Sequence, residues 1–281
     1  MKKLPRWLRI IIYSLVGIIL LIAFIFVVVG ILTKASNERD WNKDQEVLPR
    51  AQINGNIVSI YNIRNFSYTS TSSYTSNYYD KQFDLNKIVK VWYVVEPFSG
   101  IPGSAHTFLS FEFEENKFVS ISVEIRKEKG ESFHPLKGLF NQYELMYVIA
   151  DERDAIKLRS NYRKDLVYLY PIKTTKKQAQ ELFTGMIDRT NNLADHPEFY
   201  NSITNTCTTN IAKHVNNIIA GKVPLFNLRI LLPANSDKLA YKLGLIDTDL
   251  SFEEARKEYL INDRAVKYGS DPNFSLRIRN R

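Results

Sequence analysis

The period of apolar and polar positions changes along the chain, and each change marks an element. From Ile10 to Leu32 no charge interrupts "IIIYSLVGIILLIAFIFVVVGIL". At 1.5 Å rise per residue, a helix of that length crosses a hydrocarbon core of about 30 Å. After a polar stretch ending in "LPRAQI", alternation takes over in "NIVSIYNIRNF" (56–66), "KIVKVWYVVEPF" (87–98), "HTFLSFEF" (106–113) and "KFVSISVEIR" (117–126). These read as strands, and the last two, joined through "EENK", as a β-hairpin. The Ser/Thr/Tyr-rich "SYTSTSSYTSNYYD" (67–80) reads as a loop too aromatic for a flexible linker. Residues 134–161 read as helical at first and mixed later, and "DLVYLYPI" (165–172) as a strand.

Helical spacing dominates the second half. In "TTKKQAQELFTGMIDRTNNLA" (174–194) Ala179, Leu182, Phe183, Met186, Ile187 and Leu193 fall on one face, behind the N-cap types Thr174 and Thr175. A helix follows from about Cys207 through Ile219, then a short one in "NSDKLAYKLGL" (235–245) and another in 251–269. Strands come first and helices later, with hairpin connections. The expected fold is α+β, an antiparallel sheet with packed helices. The expected organisation is a basic segment 1–9, a transmembrane anchor 10–32, a stalk 33–52 and one extracytoplasmic domain 53–281.

Charge sets the topology. Lys2, Lys3, Arg6 and Arg9 precede the apolar run, and the following "TKASNERDWNKD" is mixed in sign. The positive-inside rule then leaves the N-terminus in the cytoplasm and everything after Leu32 outside it. A cleaved signal peptide is the alternative, but its apolar region runs to only about 7–15 residues. The formal charge is +8, of which four charges belong to the anchor and Arg277, Arg279 and Arg281 to a basic tail. The body that remains is close to neutral, without the concentrated basic face that a nucleic-acid partner needs. The expected partner is the membrane.

One cysteine, Cys207, leaves no intramolecular disulfide. It follows the cap-type residues Asn205 and Thr206 at a predicted helix start, where free N–H groups and the helix dipole favour a thiolate. A buried structural cysteine is the alternative. A nucleophile needs a base. His214 lies seven residues along the same helix, about 10.5 Å of rise away, beyond hydrogen-bonding reach. His134 and His196 sit beside prolines in loops. His106 begins a strand after the small residues Gly103, Ser104 and Ala105. A hairpin loop of about three residues places Glu124 opposite it, where a carboxylate would orient the imidazole; a one-residue slip would set Ile125 there instead. A structural ion pair of Glu124 with Arg64, Arg126 or Arg153 is the alternative. No HxxxH or paired ligand spacing suggests a metal, and no cofactor is expected.

A histidine at a strand start, a polar strand partner and then a cysteine at a helix start resemble the circularly permuted papain-like thiol hydrolases, which include NlpC-type peptidases and lecithin–retinol acyltransferase-like enzymes. More closely, the chain resembles the Lnb N-terminal periplasmic domain family of bacterial envelope proteins. The segments are "NIRNFSY" (62–68), "AHTFLSFEF" (105–113), "ISVEIRKEKGESF" (121–133), "LFNQYELMYVIADERDAIKLR" (139–159) and "PEFYNSITNTCTTNI" (197–211). The resemblance implies a permuted papain-like domain with Cys207 as nucleophile, His106 as base and Glu124 as orienting carboxylate. The Cys207 N–H would stabilise an oxyanion, with Asn205 as a side-chain contributor. Thr206 stands between Asn205 and Cys207, where the permuted enzymes often have Asn directly before Cys. The expected function is a cysteine hydrolase or acyltransferase of the bacterial inner membrane, acting on an amide or ester of an envelope peptide, lipid or glycan. The alternative is a non-catalytic domain that binds cell-wall material or a partner protein.

Overall fold

The computed structural model describes residues 5–100 and 102–279. Lys2, Lys3 and Arg281 of the charge argument lie outside the described residues. The apolar run forms α1 (Arg6–Leu32), long and apolar enough to cross a membrane, with no share of its apolar window buried against the rest of the chain.

Among the described residues ten strands follow: β1 (Arg50–Asn54), β2 (Ile57–Arg64), β3 (Ser67–Tyr68), β4 (Tyr74–Thr75), β5 (Tyr78–Asp84), β6 (Ile88–Pro97), β7 (Ala105–Phe113), β8 (Lys117–Arg126), β9 (Glu144–Ala150) and β10 (Tyr168–Pro171). The main sheet runs β1-β2-β9-β8-β7-β6-β10, with β5 also on β2, while β3 and β4 form a separate pair. All pairings are antiparallel except β2 with β9, joined in parallel at Arg64 and Ala150. The fold is α+β, as the order of elements predicts. Helices α2 (Glu152–Lys157), α3 (Lys176–Asp195), α4 (Cys207–Ile218), α5 (Leu228–Leu231), α6 (Ser236–Lys242), α7 (Phe252–Glu258), α8 (Asn262–Lys267) and α9 (Phe274–Arg277) complete it.

Strand alternation sorts the side chains into two cores. Leu109, Phe111, Val119, Ile121 and Tyr147 face α3 and α4, and their cluster includes Phe183, Met186, Cys207 and Ile211. Each fully buried phenylalanine there contributes about 2 kcal/mol. Phe108, Met146 and Val148 face the other way, onto Ile156 of α2, Ala265 of α8 and Phe274 of α9. The second face of β7 and β8 also carries His106, Ser110, Ser120, Ser122 and Glu124, polar groups that need partners once covered.

Several sequence readings change, and the loop read at 67–80 holds β3, β4 and the start of β5. The stretch 144–150, expected within a helical-to-mixed segment, is β9, buried at every residue. A continuous apolar run has no period, so periodicity cannot separate a buried strand from a buried helix. The expected stalk packs on the domain instead: Trp41 and Gln45 are buried, and Arg126 lies over the Trp41 ring at 4.2 Å while donating to the Gln45 and Glu46 carbonyls. The basic tail is folded in too. Arg279 is buried against Glu152 and Ser110, over the rings of Trp92 and Phe118, and Arg277 pairs with Asp271.

The C-terminal end of α1 meets one end of the sheet. Phe26 stacks on Phe140 at 4.8 Å, Asn141 Nδ2 donates to Thr33 Oγ1, and the Ser36 N–H donates to Glu144 at the start of β9. The start of β9, the end of β8 and the start of β7 therefore lie at the end of the sheet nearest α1.

Candidate active site

At that end β7 and β8 part. Their ladder runs from Phe113↔Lys117 to Phe108↔Ser122 and stops. Beyond it β7 stays with β6 as far as Ala105↔Pro97, and β8 stays with β9 as far as Arg126↔Glu144. The wedge between them opens into a cavity of about 310 Å³, whose lining includes Ala105, His106, Glu124, Arg159, Tyr200 and Cys207. A separate apolar cavity of about 80 Å³ lies beneath α4 and does not include Cys207.

Extended by two residues, the ladder register sets His106 opposite Glu124, and the side chains meet there. Ser122 Oγ donates to Glu124 Oε1 at 2.8 Å and lies 2.7 Å from His106 Nε2. A hydroxyl that gives its one proton to Glu124 must accept from His106, so the imidazole carries its proton on Nε2 and presents Nδ1 as a lone pair. His106 Nε2 is 3.7 Å from Glu124 Oε1. Burial, then the neighbouring Arg159, lowers the His106 pKa to about 3, which keeps the ring neutral. Burial opposes the charge on Glu124, but Arg159, His106 and Arg64 outweigh it and hold that carboxyl far below its ordinary range.

Arg159, on the π-helical turn Leu158–Arg163 after α2, ties this row together. It donates to Glu124 Oε1 at 3.0 Å, to Glu96 Oε2 at 2.7 Å and to the Ala155 carbonyl. Glu96 stands opposite His106 on β6. Its burial raises its pKa to about 7 against the pull of Arg159 and Arg163. The alternative partners for Glu124 were Arg64, Arg126 and Arg153; its partner is Arg159. Arg64 is held instead by Asp154, in a two-point contact at 2.9 Å on each arm.

Cys207 is the first residue of α4 and is 9% exposed. Thr206 caps the helix in a reciprocal pair with Thr209. The N–H groups of Cys207 and Thr208 precede the first intrahelical bonds, so they are free to receive negative charge. Thr208 Oγ1 sits 3.0 Å from Thr107 Oγ1 and seats the helix start on β7. Among the described residues, the sulfur's near polar contact is Thr208 Oγ1 at 3.7 Å. Tyr200 lines the cavity as well; burial, then nearby Cys207, raises its pKa.

Three of the four expected site residues, Cys207, His106 and Glu124, thus share one cavity. Asn205 does not join them. Its Nδ2 donates to the Phe199 carbonyl and its Oδ1 accepts from Asn210, so its amide holds the loop together. Among the described residues no hydrogen bond joins Cys207 Sγ to His106. They come from opposite faces of the sheet, Cys207 from the α3/α4 core and His106 from a stack on Phe108. The wedge is where the two faces communicate. His214 makes a separate contact with Tyr147 at 2.9 Å, inside the core.

Sequence reasoning missed Ser122 and Arg159. Ser122 had a signal, since "SISVE" places it on the same strand face as Glu124. Arg159 had none, because it reaches the site only through the tertiary fold. The tyrosine loop does not border this cavity: Tyr68, Tyr74 and Tyr78 pack around Phe66.

The Lnb N-terminal periplasmic domain family matches residues 74–234, more than half of the chain, a span that holds His106, Glu124 and Cys207. No curated protein and no solved structure matches it.

Proposed function

The chain belongs to the Lnb N-terminal periplasmic domain family, and we propose that it is a thiol enzyme that transfers or hydrolyses acyl groups at the periplasmic face of a membrane. The family and the apolar helix α1 make it a single-pass membrane protein with a periplasmic domain. The charge asymmetry around α1 supports a cytoplasmic N-terminus in the inner membrane.

The chemistry follows that of papain-like enzymes. Cys207 Sγ attacks an amide or ester carbonyl, and its proton passes through His106 Nδ1 to the leaving amine or alcohol. A C–S bond forms and the C–N or C–O bond breaks, leaving a thioester. Water then releases an acid, or an amine takes the acyl group. The free N–H groups at the start of α4 would receive the oxyanion. Ser122 and Glu124 hold the imidazole with Nδ1 unprotonated. The observation that carries this reading is the convergence of a helix-start cysteine and a carboxylate-oriented histidine on one cavity.

Because no hydrogen bond joins Cys207 to His106, a second reading stands beside it: a non-catalytic domain whose cavity binds envelope material and whose His106 row is structural. Intact-mass analysis of full-length protein taken from its native membrane separates the two. A hydroxylamine-labile adduct on Cys207, absent from Cys207→Ser, supports the enzyme. An unmodified thiol in both resting and envelope-extract-treated protein, with binding of extract components retained in Cys207→Ser, supports the binding domain.

A further inference from the structure

We propose that the rim of the cavity is a second membrane contact, resting on the same leaflet that α1 leaves. Outside α1, the two most exposed large apolar side chains among the described residues are Phe226 at 83% and Leu228 at 72%. Leu232, Leu136 and Ile203 are exposed as well. Phe226, Leu228 and Leu232 share one short segment, while Leu136 and Ile203 lie on two others, and the fold brings parts of all three segments to the cavity, through Leu231–Pro233, Pro135 and Ser202. Ala234 N donates to the Gly103 carbonyl just before β7, and Leu232 borders both Gly103 and the cavity. Ser202, beside Ile203, donates to the Pro135 carbonyl beside Leu136. That loop continues directly to Phe140, on which Phe26 of the apolar span stacks.

The last contact fixes the occupant. Phe26 lies within the apolar stretch Arg6–Gly30, so Phe140 stands at the level where α1 leaves the hydrocarbon. The segment 33–45 is tied down by the Ser36 N–H donating to Glu144, Arg126 donating to Asn37 Oδ1 and Gln45 Nε2 donating to the Ile125 carbonyl, which leaves the domain little freedom to tilt away. An apolar rim at that height meets lipid before it meets a soluble protein. Single exposed apolar side chains are ordinary, but Leu232 at the mouth, Leu136 and Ile203 beside the lining residues Pro135 and Ser202, and Phe226 and Leu228 on the segment that leads to Leu232 together mark a contact surface at the anchored end. Short segments with Phe and Leu exposed are of the kind that bury shallowly in the interfacial region. The mouth of the cavity would then face the membrane surface rather than the open periplasm.

The test uses full-length protein in phosphatidylcholine vesicles, in a Cys207→Ser background so that one introduced cysteine carries an environment-sensitive fluorophore. Labels go on Phe226→Cys and Leu228→Cys, with Phe24→Cys in α1 as the lipid reference and Val89→Cys, at the far end of β6, as the aqueous reference. Doxyl-labelled lipids should quench positions 226 and 228 nearly as strongly as position 24, and position 89 weakly. Thermal melts accompany each variant, since all four sites are exposed and the fold should tolerate the change. Quenching at 226 and 228 no greater than at 89 overturns the proposal. So does protection of these labels by cross-linking to a second copy without lipid quenching. Neither outcome bears on whether Cys207 is a nucleophile, because the readout does not use it.

Discussion

His106 and Cys207 border the same cavity from opposite faces of one sheet. The relationship exists because β7 and β8 separate beyond Phe108 and Ser122, so a strand that is otherwise buried on both sides becomes open at its end. The imidazole is held from behind by Ser122 and Glu124, while the thiol arrives in front on a capped helix. Each of these contacts can be removed separately.

Ser122→Ala deletes the hydroxyl that bridges His106 and Glu124. A buried hydrogen-bonding group left without its partner costs about 1–2 kcal/mol. The expected result is a modest fall in melting temperature, with slower alkylation of Cys207 because Nδ1 is no longer fixed as the lone-pair nitrogen. An unchanged alkylation rate would detach Ser122 from the thiol.

Glu124→Gln tests a residue with two roles. Its carboxylate accepts from Ser122 and from the buried Arg159. Removing one charge from a buried pair costs about 3 kcal/mol, so the melt should fall. If Glu124 also acts through His106, the pH profile of Cys207 alkylation moves upward in the same variant. A lower melt beside an unmoved profile would leave Glu124 a purely structural partner of Arg159.

Much of this site was legible before the structure. The hairpin spacing placed His106 opposite Glu124, and cap-type residues placed Cys207 at a helix start; both rest on short-range rules. What sequence could not supply was long-range. Arg159 comes from another element, and β9 has no period to read. Asn205 looked like a side-chain donor beside Cys207, but its amide closes its own loop. The expected single helix at 251–269 is two, α7 and α8, separated where Leu260 bridges Tyr168 of β10. That break answers to the sheet, not to a local breaker residue.

Stability should depend on pH with opposite signs at two neighbouring residues. Glu96 has a folded pKa of about 7 against an ordinary 4.5, so its contribution is present below 4.5 and lost as pH rises through 7. His106 has a folded pKa of about 3 against 6.5, so its contribution is present above 6.5 and lost as pH falls toward 3. Relative to wild type, Glu96→Gln should therefore gain stability as pH rises from 4.5 to 7. His106→Gln should gain as pH falls from 6.5. Chemical denaturation across that range measures both, and curves parallel to wild type would contradict the buried titrations.

Arg279→Ala should destabilise the domain by about 4 kcal/mol, because it strands the fully buried Glu152 and leaves Ser110 without a second partner. Thermal or urea unfolding of the full-length protein in detergent reads this directly. A near-neutral effect would mean that the C-terminal residues are not part of the fold, as the basic-tail reading held.

The most direct measurement of the proposed chemistry is the rate of iodoacetamide alkylation of Cys207 against pH, in wild type and in His106→Ala, on detergent-solubilised full-length protein. Thermal melts establish that both are folded. If His106 serves Cys207 across the wedge, wild type reacts rapidly near neutral pH and His106→Ala reacts slowly, with its profile displaced to higher pH. Slow reaction with the same profile in both proteins would show that the thiol is indifferent to the histidine, and would contradict the catalytic pair.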